Sequence, residues 1–185
     1  MSHPEHILRV LDRHLARPTE LVRYGRAALA LGYPDAPESF HATMDVDAIL
    51  PEVQMASIEA DDGFWKAIES TNHELQSAGL YITHLFSDAQ LIIRPQWLDH
   101  VVAIDMAGLR FLKLQRPSTE DLILTKMMRV DPQDRSDIRF LLDHSCLYPN
   151  ELEALLMSAT VPPLAEIMEA FQDNSQWLRG LLSTG

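Results

Sequence analysis

From Pro4 to Ala16 the apolar residues Ile7, Leu8, Leu11 and Leu15 recur at helical spacing, and Arg17-Pro18 marks the stop. The period then changes. Leu21–Tyr24 reads as a short strand, Gly25 permits a turn, and "RAALALG" starts a small-residue helix that Gly32 ends. "YPDAPESFHA" is a Pro-rich polar loop, and "TMDVDAIL" is a strand closed by Pro51. Glu52 to Ser77 is helical with a break at "ADDG", where Asp61 or Asp62 caps the second half before Gly79 ends it. Four runs rich in β-branched and aromatic residues follow: "LYITHLF", "QLIIRP", "DHVVAID" and "LRFLKLQ". They predict consecutive, hairpin-linked strands. Ser118 and Asp121 have the spacing of a capping box for the helix "EDLILTKMMRV". Asp131 and Pro132 open the next helix, with Ile138, Leu141 and Leu142 as its apolar stripe. The tail from Pro149 to Leu182 reads as two or three helices, "NELEALLMSA", "PPLAEIMEAFQD" and "SQWLRGLL". The pattern as a whole predicts an α/β (α+β) domain over residues 1–145, with a helical extension over 146–185 packed on it.

Composition narrows the function classes. The 185 residues carry 15 basic and 27 acidic side chains, a net charge of −12, which argues against non-specific binding to nucleic acid or acidic membranes. A single cysteine, Cys146, allows no internal disulfide and reads as buried packing beside Tyr148. The apolar residues of the opening stretch are interrupted by Arg9, Asp12, Arg13 and His14, a poor signal peptide, and no apolar run is long enough to span a bilayer. The expectation is a cytoplasmic chain without membrane partners.

Asp45 and Asp47 are the first candidates for chemistry. On a strand both carboxylates share one face, their Cα atoms about 6.5–7 Å apart. An edge strand with a solvated polar face accounts for such a pair. The apolar company of Met44, Val46, Ala48, Ile49 and Leu50 favours a sequestered strand, and acids there call for a cation. Upstream, the strand–Gly25–helix turn presents backbone N–H groups and a helix N-terminus to an anion, although taken alone it reads better as a tight turn with a small-residue helix packed closely on the sheet.

Together, "YGRAALALG…TMDVDAIL" resembles the opening of the nucleotidyltransferase superfamily: strand, glycine, helix, then D-x-D on the next strand. Downstream, "PSTEDLILTKMMRVDPQDRSDIRFLL" is similar to a segment of nucleotidyltransferase-like proteins near the AbiEii toxin family. The resemblance implies a mixed sheet flanked by helices. It implies Gly25 at a phosphate turn, Asp45 and Asp47 holding Mg²⁺ (or Mn²⁺), and Lys126 contacting phosphate with Arg129 beside it. Asp137, with Asp134 second, would orient that lysine or act as acid or base. The implied reaction is nucleotidyl transfer from a nucleoside triphosphate, with pyrophosphate leaving, to an RNA, protein or small-molecule acceptor. The implied setting is toxin–antitoxin or phage defence, with an antitoxin-type protein as a candidate partner.

The sequence departs from that pattern in places. Arg26 stands where the family carries a small residue, so it either obstructs the triphosphate or binds it as a fork of donors. No third carboxylate is obvious, and Asp105 is the nearest candidate. These departures keep open a catalytically degenerate fold acting as a binding or regulatory partner. An antitoxin-like protein is a further option, and it predicts an exposed apolar patch at Trp177, Leu178 and Leu181.

Residues 110–139 hold seven of the 15 basic residues, including Lys126, against five acids. That is an anion-facing segment or a solvated helix face laced with i,i+4 pairs. Arg94 and Trp97 around Pro95 predict an Arg–Trp stack or a structural turn. His84 alternates with Ile82 and Phe86, which predicts a satisfied core histidine and not a ligand.

Overall fold

The computed structural model describes residues 1–183, so Thr184 and Gly185 of the expected extension lie outside the described residues. The chain forms two compact units. One, the sheet unit, comprises Met1–Ser87 and Val101–Arg116; the other, the helical unit, comprises Asp88–His100 and the chain from Pro117 onward.

The sheet unit opens with α1 (His3–His14). Ser2 accepts from the Glu5 N–H, and Glu5 returns a bond to the Ser2 N–H at 2.8 Å, a reciprocal cap that fixes the helix start. Ile7, Leu8 and Leu11 are fully buried. Asp12 also points inward. Its carboxylate accepts from the N–H groups of Arg110, Phe111 and Leu112 at 2.9, 2.8 and 2.7 Å, tying α1 to the start of β5 (Leu112–Arg116).

The five-stranded sheet is mixed. β1 (Thr19–Tyr24) lies at its centre, parallel to β5 and antiparallel to β2 (Asp45–Leu50). β3 (Tyr81–Ser87) runs parallel to β2, and β4 (Val102–Ile104) pairs antiparallel with β5, giving the order β3-β2-β1-β5-β4. Between β1 and β2 come α2 (Gly25–Gly32) and the single turn α3 (Glu38–His41). Between β2 and β3 come α4 (Met55–Glu59) and α5 (Asp62–Leu75), the latter capped by Asp61, which accepts from the Phe64 N–H at 3.0 Å. One face of the sheet carries Leu21, Val46, Ala48, Ile82, Leu112 and Leu114 into a core shared with α1 and α5.

Two expectations about the strands are corrected here. β3 and β4 occupy opposite edges, so they are not neighbours in a hairpin-linked run; only β4 and β5 pair in that way. "QLIIRP" is not a strand. Leu91, Ile92 and Ile93 are buried, and pairing is limited to one antiparallel bridge between Ile93 and Thr160. An apolar run enclosed on all sides carries no period by which sheet membership can be judged.

In the helical unit, Ser118 caps α6 (Thr119–Thr125), a 3₁₀ turn covers Lys126–Met128, and Asp131 caps α7 (Pro132–Asp143). α8 (Pro149–Ser158) and α9 (Ala165–Ser183) complete it. The stretch "FQDNSQW" contains no helix breaker, so two expected helices are one. Asn174 of α9 is fully buried and donates to the carbonyls of Met127 and Arg129 at 3.2 and 3.1 Å.

Other expectations change in this unit. Cys146 is exposed and free, not packing. Of the two readings of Arg94 and Trp97, the structural turn is present, with the Trp97 N–H donating to the Arg94 carbonyl at 3.3 Å; the Arg94 guanidinium forms a fork on Asp121, with Nε–Oδ1 at 2.8 Å and Nη2–Oδ2 at 2.7 Å, and makes no Trp97 stack. Trp97 is buried and donates to Asp88 at 2.9 Å. Leu178 is fully buried, and Trp177 carries the guanidinium groups of Arg135 and Arg139 at 5.0 and 5.2 Å, so these two residues form no exposed apolar patch. Among the described residues no helix is long and apolar enough to cross a membrane.

Candidate metal and nucleotide site

Alternation along β2 sends Val46 and Ala48 into the core of the sheet unit and turns Asp45 and Asp47 to the opposite face. The Asp45 carboxylate accepts from the Thr43 hydroxyl at 2.9 Å. Asp47 is more heavily engaged. Its Oδ1 accepts from the Thr83 hydroxyl at 2.9 Å and the His84 N–H at 3.3 Å, and lies 3.0 Å from His84 Nδ1. Its Oδ2 accepts no hydrogen bond among the described residues.

Gly25 explains where Oδ2 goes. In the β1–β2 register Tyr24 stands opposite Asp47, so the next residue turns directly beneath that carboxylate. Gly25 adopts φ +67, and a Cβ built there would stand 3.0 Å from Asp47 Oδ2. Both the backbone conformation and the space therefore call for glycine. The first turn of α2 begins at this same residue. Arg26 is half-buried, and its guanidinium lies over the Phe40 ring, 5.1 Å from the centroid.

His84 is the residue that alternation misplaced. Val46 pairs with Ile82 but Ala48 pairs with Leu85, so Thr83 and His84 both stand opposite Asp47. This is a β-bulge, which re-aims the bulged side chains and shifts the phase of the strand. His84 is consequently exposed on the aspartate face and is not a core histidine. Asp45, Asp47 and His84 each offer one ligand atom, and the three lie within 4.8 Å of one another. Two full negative charges at that separation repel by about 1–4 kcal/mol, which a cation between them relieves. Two carboxylates, one imidazole and a glycine cradle beside them fit a divalent cation that keeps open positions for water or phosphate. Asp105 is not part of the group. It follows β4 at the edge three strands from β2 and lines a cleft of about 820 Å³ with Arg9, Tyr33 and His41.

The remaining predicted residues gather within the helical unit. Lys126 is 8% exposed, and its ammonium donates to Asp134 Oδ1 at 2.9 Å and Asp137 Oδ2 at 2.7 Å. Arg129 Nε donates to the second oxygen of Asp134. Burial pushes the Asp134 carboxyl up, but the Arg129 hydrogen bond and the Lys126 charge outweigh it and hold the group below its ordinary value. Lys126 is the centre of a buried ion-pair knot.

A search of curated proteins and a search of solved structures returned no match. The sequence profile of one family, described as "Nucleotidyltransferase of unknown function (DUF6036)", matches residues 5–161. That span takes in the sheet unit from Glu5 onward and, with it or beyond it, Gly25, Asp45, Asp47, His84, Lys126 and Asp137. Any nearer kinship to AbiEii toxins rests on the sequence motifs alone. A strand–glycine–helix turn, the D-x-D strand beside it and a profile covering most of the chain agree, and the chain belongs to the DUF6036 family of nucleotidyltransferases.

Proposed function

We propose that the sheet unit binds a nucleoside triphosphate together with a divalent cation and that the chain transfers the nucleotidyl group to an acceptor. The observation that carries this reading is the single patch formed by Asp45, Asp47 and His84 with the Gly25 turn against Asp47. A cation bound there would neutralise charge developing on the phosphate oxygens. The chain's own contribution is positional. Gly25 leaves the backbone bare at the head of α2, where N–H groups and the positive helix end favour phosphate. Thr83 and His84 fix the Asp47 carboxylate by bonding one oxygen, which leaves the other for a ligand.

For Lys126, Arg129 and Asp137 the proposal is the one the resemblance implies, a phosphate contact, its neighbour and an orienting acid. The direct bonds from Lys126 to Asp134 and Asp137 support the orienting role. The acceptor class is RNA, protein or small molecule, and the implied setting is toxin–antitoxin or defence.

The test is thermal unfolding with each of the four nucleoside triphosphates, with and without Mg²⁺ or Mn²⁺, on wild type and Asp45→Asn. Ligand at about 100 times its Kd adds about 2.7 kcal/mol, a shift of several degrees for a protein of this size. A cation-dependent shift that Asp45→Asn loses while its own fold persists is the expected result. No shift with any triphosphate would overturn nucleotide transfer in favour of a degenerate, partner-binding fold.

A further inference from the structure

We infer that the cation site at Asp45, Asp47 and His84 selects a transition-metal ion such as Mn²⁺ over Mg²⁺, with His84 as the selecting ligand. The inference rests on the reading of this patch as a cation site. It goes further in assigning the identity of the ion to one residue.

The geometry comes first. The bulge between Val46 and Ala48 on the β2–β3 ladder exists at one position only, opposite Asp47, and it delivers His84 to the aspartate face. Without the extra residue, strict alternation would keep Ile82 and His84 on the same side, and Ile82 is core. His84 Nδ1 lies 3.0 Å from Asp47 Oδ1 and the ring stands against Phe86 at 5.3 Å between centroids, so the imidazole is oriented from two sides. Nδ1 is the ring nitrogen that faces the acids, with the Thr83 hydroxyl oxygen 3.1 Å away, and it is the atom that would join the two carboxylates on an ion. More than half of the His84 side chain is solvent-exposed, so an ion reaches it without any rearrangement of the sheet.

The chemistry decides the ion. Mg²⁺ is small and hard, takes oxygen ligands in near-ideal octahedral geometry, and gains little from imidazole nitrogen. Affinity for nitrogen rises from Mn²⁺ through the later divalent ions, and imidazole suits them. A wholly oxygen-ligating set suits Mg²⁺ and Mn²⁺ alike. Two carboxylates with one imidazole give Mn²⁺ an additional bond that Mg²⁺ uses poorly.

The experiment uses the ions alone, with no nucleotide, on the full chain. Mn²⁺ binding is followed by the loss of the free-ion electron paramagnetic resonance signal, and Mg²⁺ by its power to displace Mn²⁺. Wild type is expected to bind Mn²⁺ at least about tenfold more tightly than Mg²⁺. His84→Ala is expected to weaken Mn²⁺ by about 10–100-fold and Mg²⁺ by less than about threefold. His84→Asp makes the set all-oxygen and is expected to narrow the preference for Mn²⁺. His84→Gln, which keeps a side chain of similar reach, stands in if the alanine variant fails to fold. Equal weakening of both ions by His84→Ala, or no weakening, overturns the assignment while leaving the cation site intact. If Asp45→Asn leaves Mn²⁺ binding untouched, or wild type binds neither ion, the cation site itself is wrong.

Discussion

Gly25 and Asp47 occupy one point of the sheet unit: the glycine Cα faces the carboxylate so closely that a methyl group would stand 3.0 Å from Oδ2. Gly25 follows the last residue of β1, Asp47 lies within β2, and the pairing of Tyr24 with Asp47 brings them together. Gly25→Ala is therefore expected to act twice. The positive φ costs an L-residue about 1–2 kcal/mol, which urea unfolding reads as a lower midpoint. The new methyl group also displaces Asp47 Oδ2, so Mn²⁺ affinity falls by more than the stability loss alone accounts for. A variant that loses stability but keeps full cation affinity would show that the close approach is only a packing feature.

Arg23 supplies a second expectation. It sits on the central strand opposite Ala48, fully buried, and none of its three guanidinium nitrogens has a hydrogen-bond partner among the described residues. Burial alone pushes its pKa down to about 9. Arg23→Met keeps the bulk and removes the charge, and is expected to raise stability by about 1–4 kcal/mol. The sign of the pH effect follows. The unfolded chain keeps this proton to a much higher pH, so above about 9 the unfolded state binds more protons and wild-type stability rises with pH. The gap between Arg23→Met and wild type should narrow as pH climbs above about 9. Paired denaturant titrations at neutral and alkaline pH measure it. A less stable methionine variant would mean that the guanidinium is satisfied in solution.

The ion-pair knot of the helical unit predicts the opposite sign. Lys126→Met leaves Asp134 and Asp137 buried without their shared ammonium and is expected to cost about 3–5 kcal/mol. Asp134 is held below its ordinary value of 3.8, so its contribution is present above that value and is lost as pH falls through the lower folded one. The stability difference between wild type and Asp134→Asn should therefore be constant near neutrality and close on the acid side. Unfolding midpoints of both proteins across the acid range test this.

Much of the fold was readable because its signals are local. Ser118, Asp131 and Asp61 cap the helices that their spacing predicts, and Gly25 and the D-x-D pair fall at the turn and strand their neighbours define. His84 was misread because alternation assumes an unbroken ladder, and the bulge opposite Asp47 is a property of the pair of strands, not of either sequence. Its one trace in the sequence is "YITHLF", in which two polar residues stand together and break the alternation. The role of Asp12 was also hidden. It stood out only as a charge in an apolar stretch, whereas its three hydrogen bonds reach N–H groups about a hundred residues away. Strand order failed for a related reason: "DHVVAID" and "LYITHLF" look alike locally, and only the crossover connections send them to opposite edges.

The division of the chain into two units has a bearing on how the protein is made. After β3 the backbone leaves the sheet unit for residues 88–100, returns for β4 and β5, and departs again at Pro117. Neither unit is an uninterrupted stretch of sequence. On the ribosome, the first 87 residues can build only the β3-β2-β1 half of the sheet, with one flank of β1 unpaired until Arg116 has emerged. Residues 88–100 emerge before the helices they belong with. Leu91, Ile92 and Ile93, buried in the finished unit, therefore emerge as apolar surface ahead of the helices from Pro117 onward.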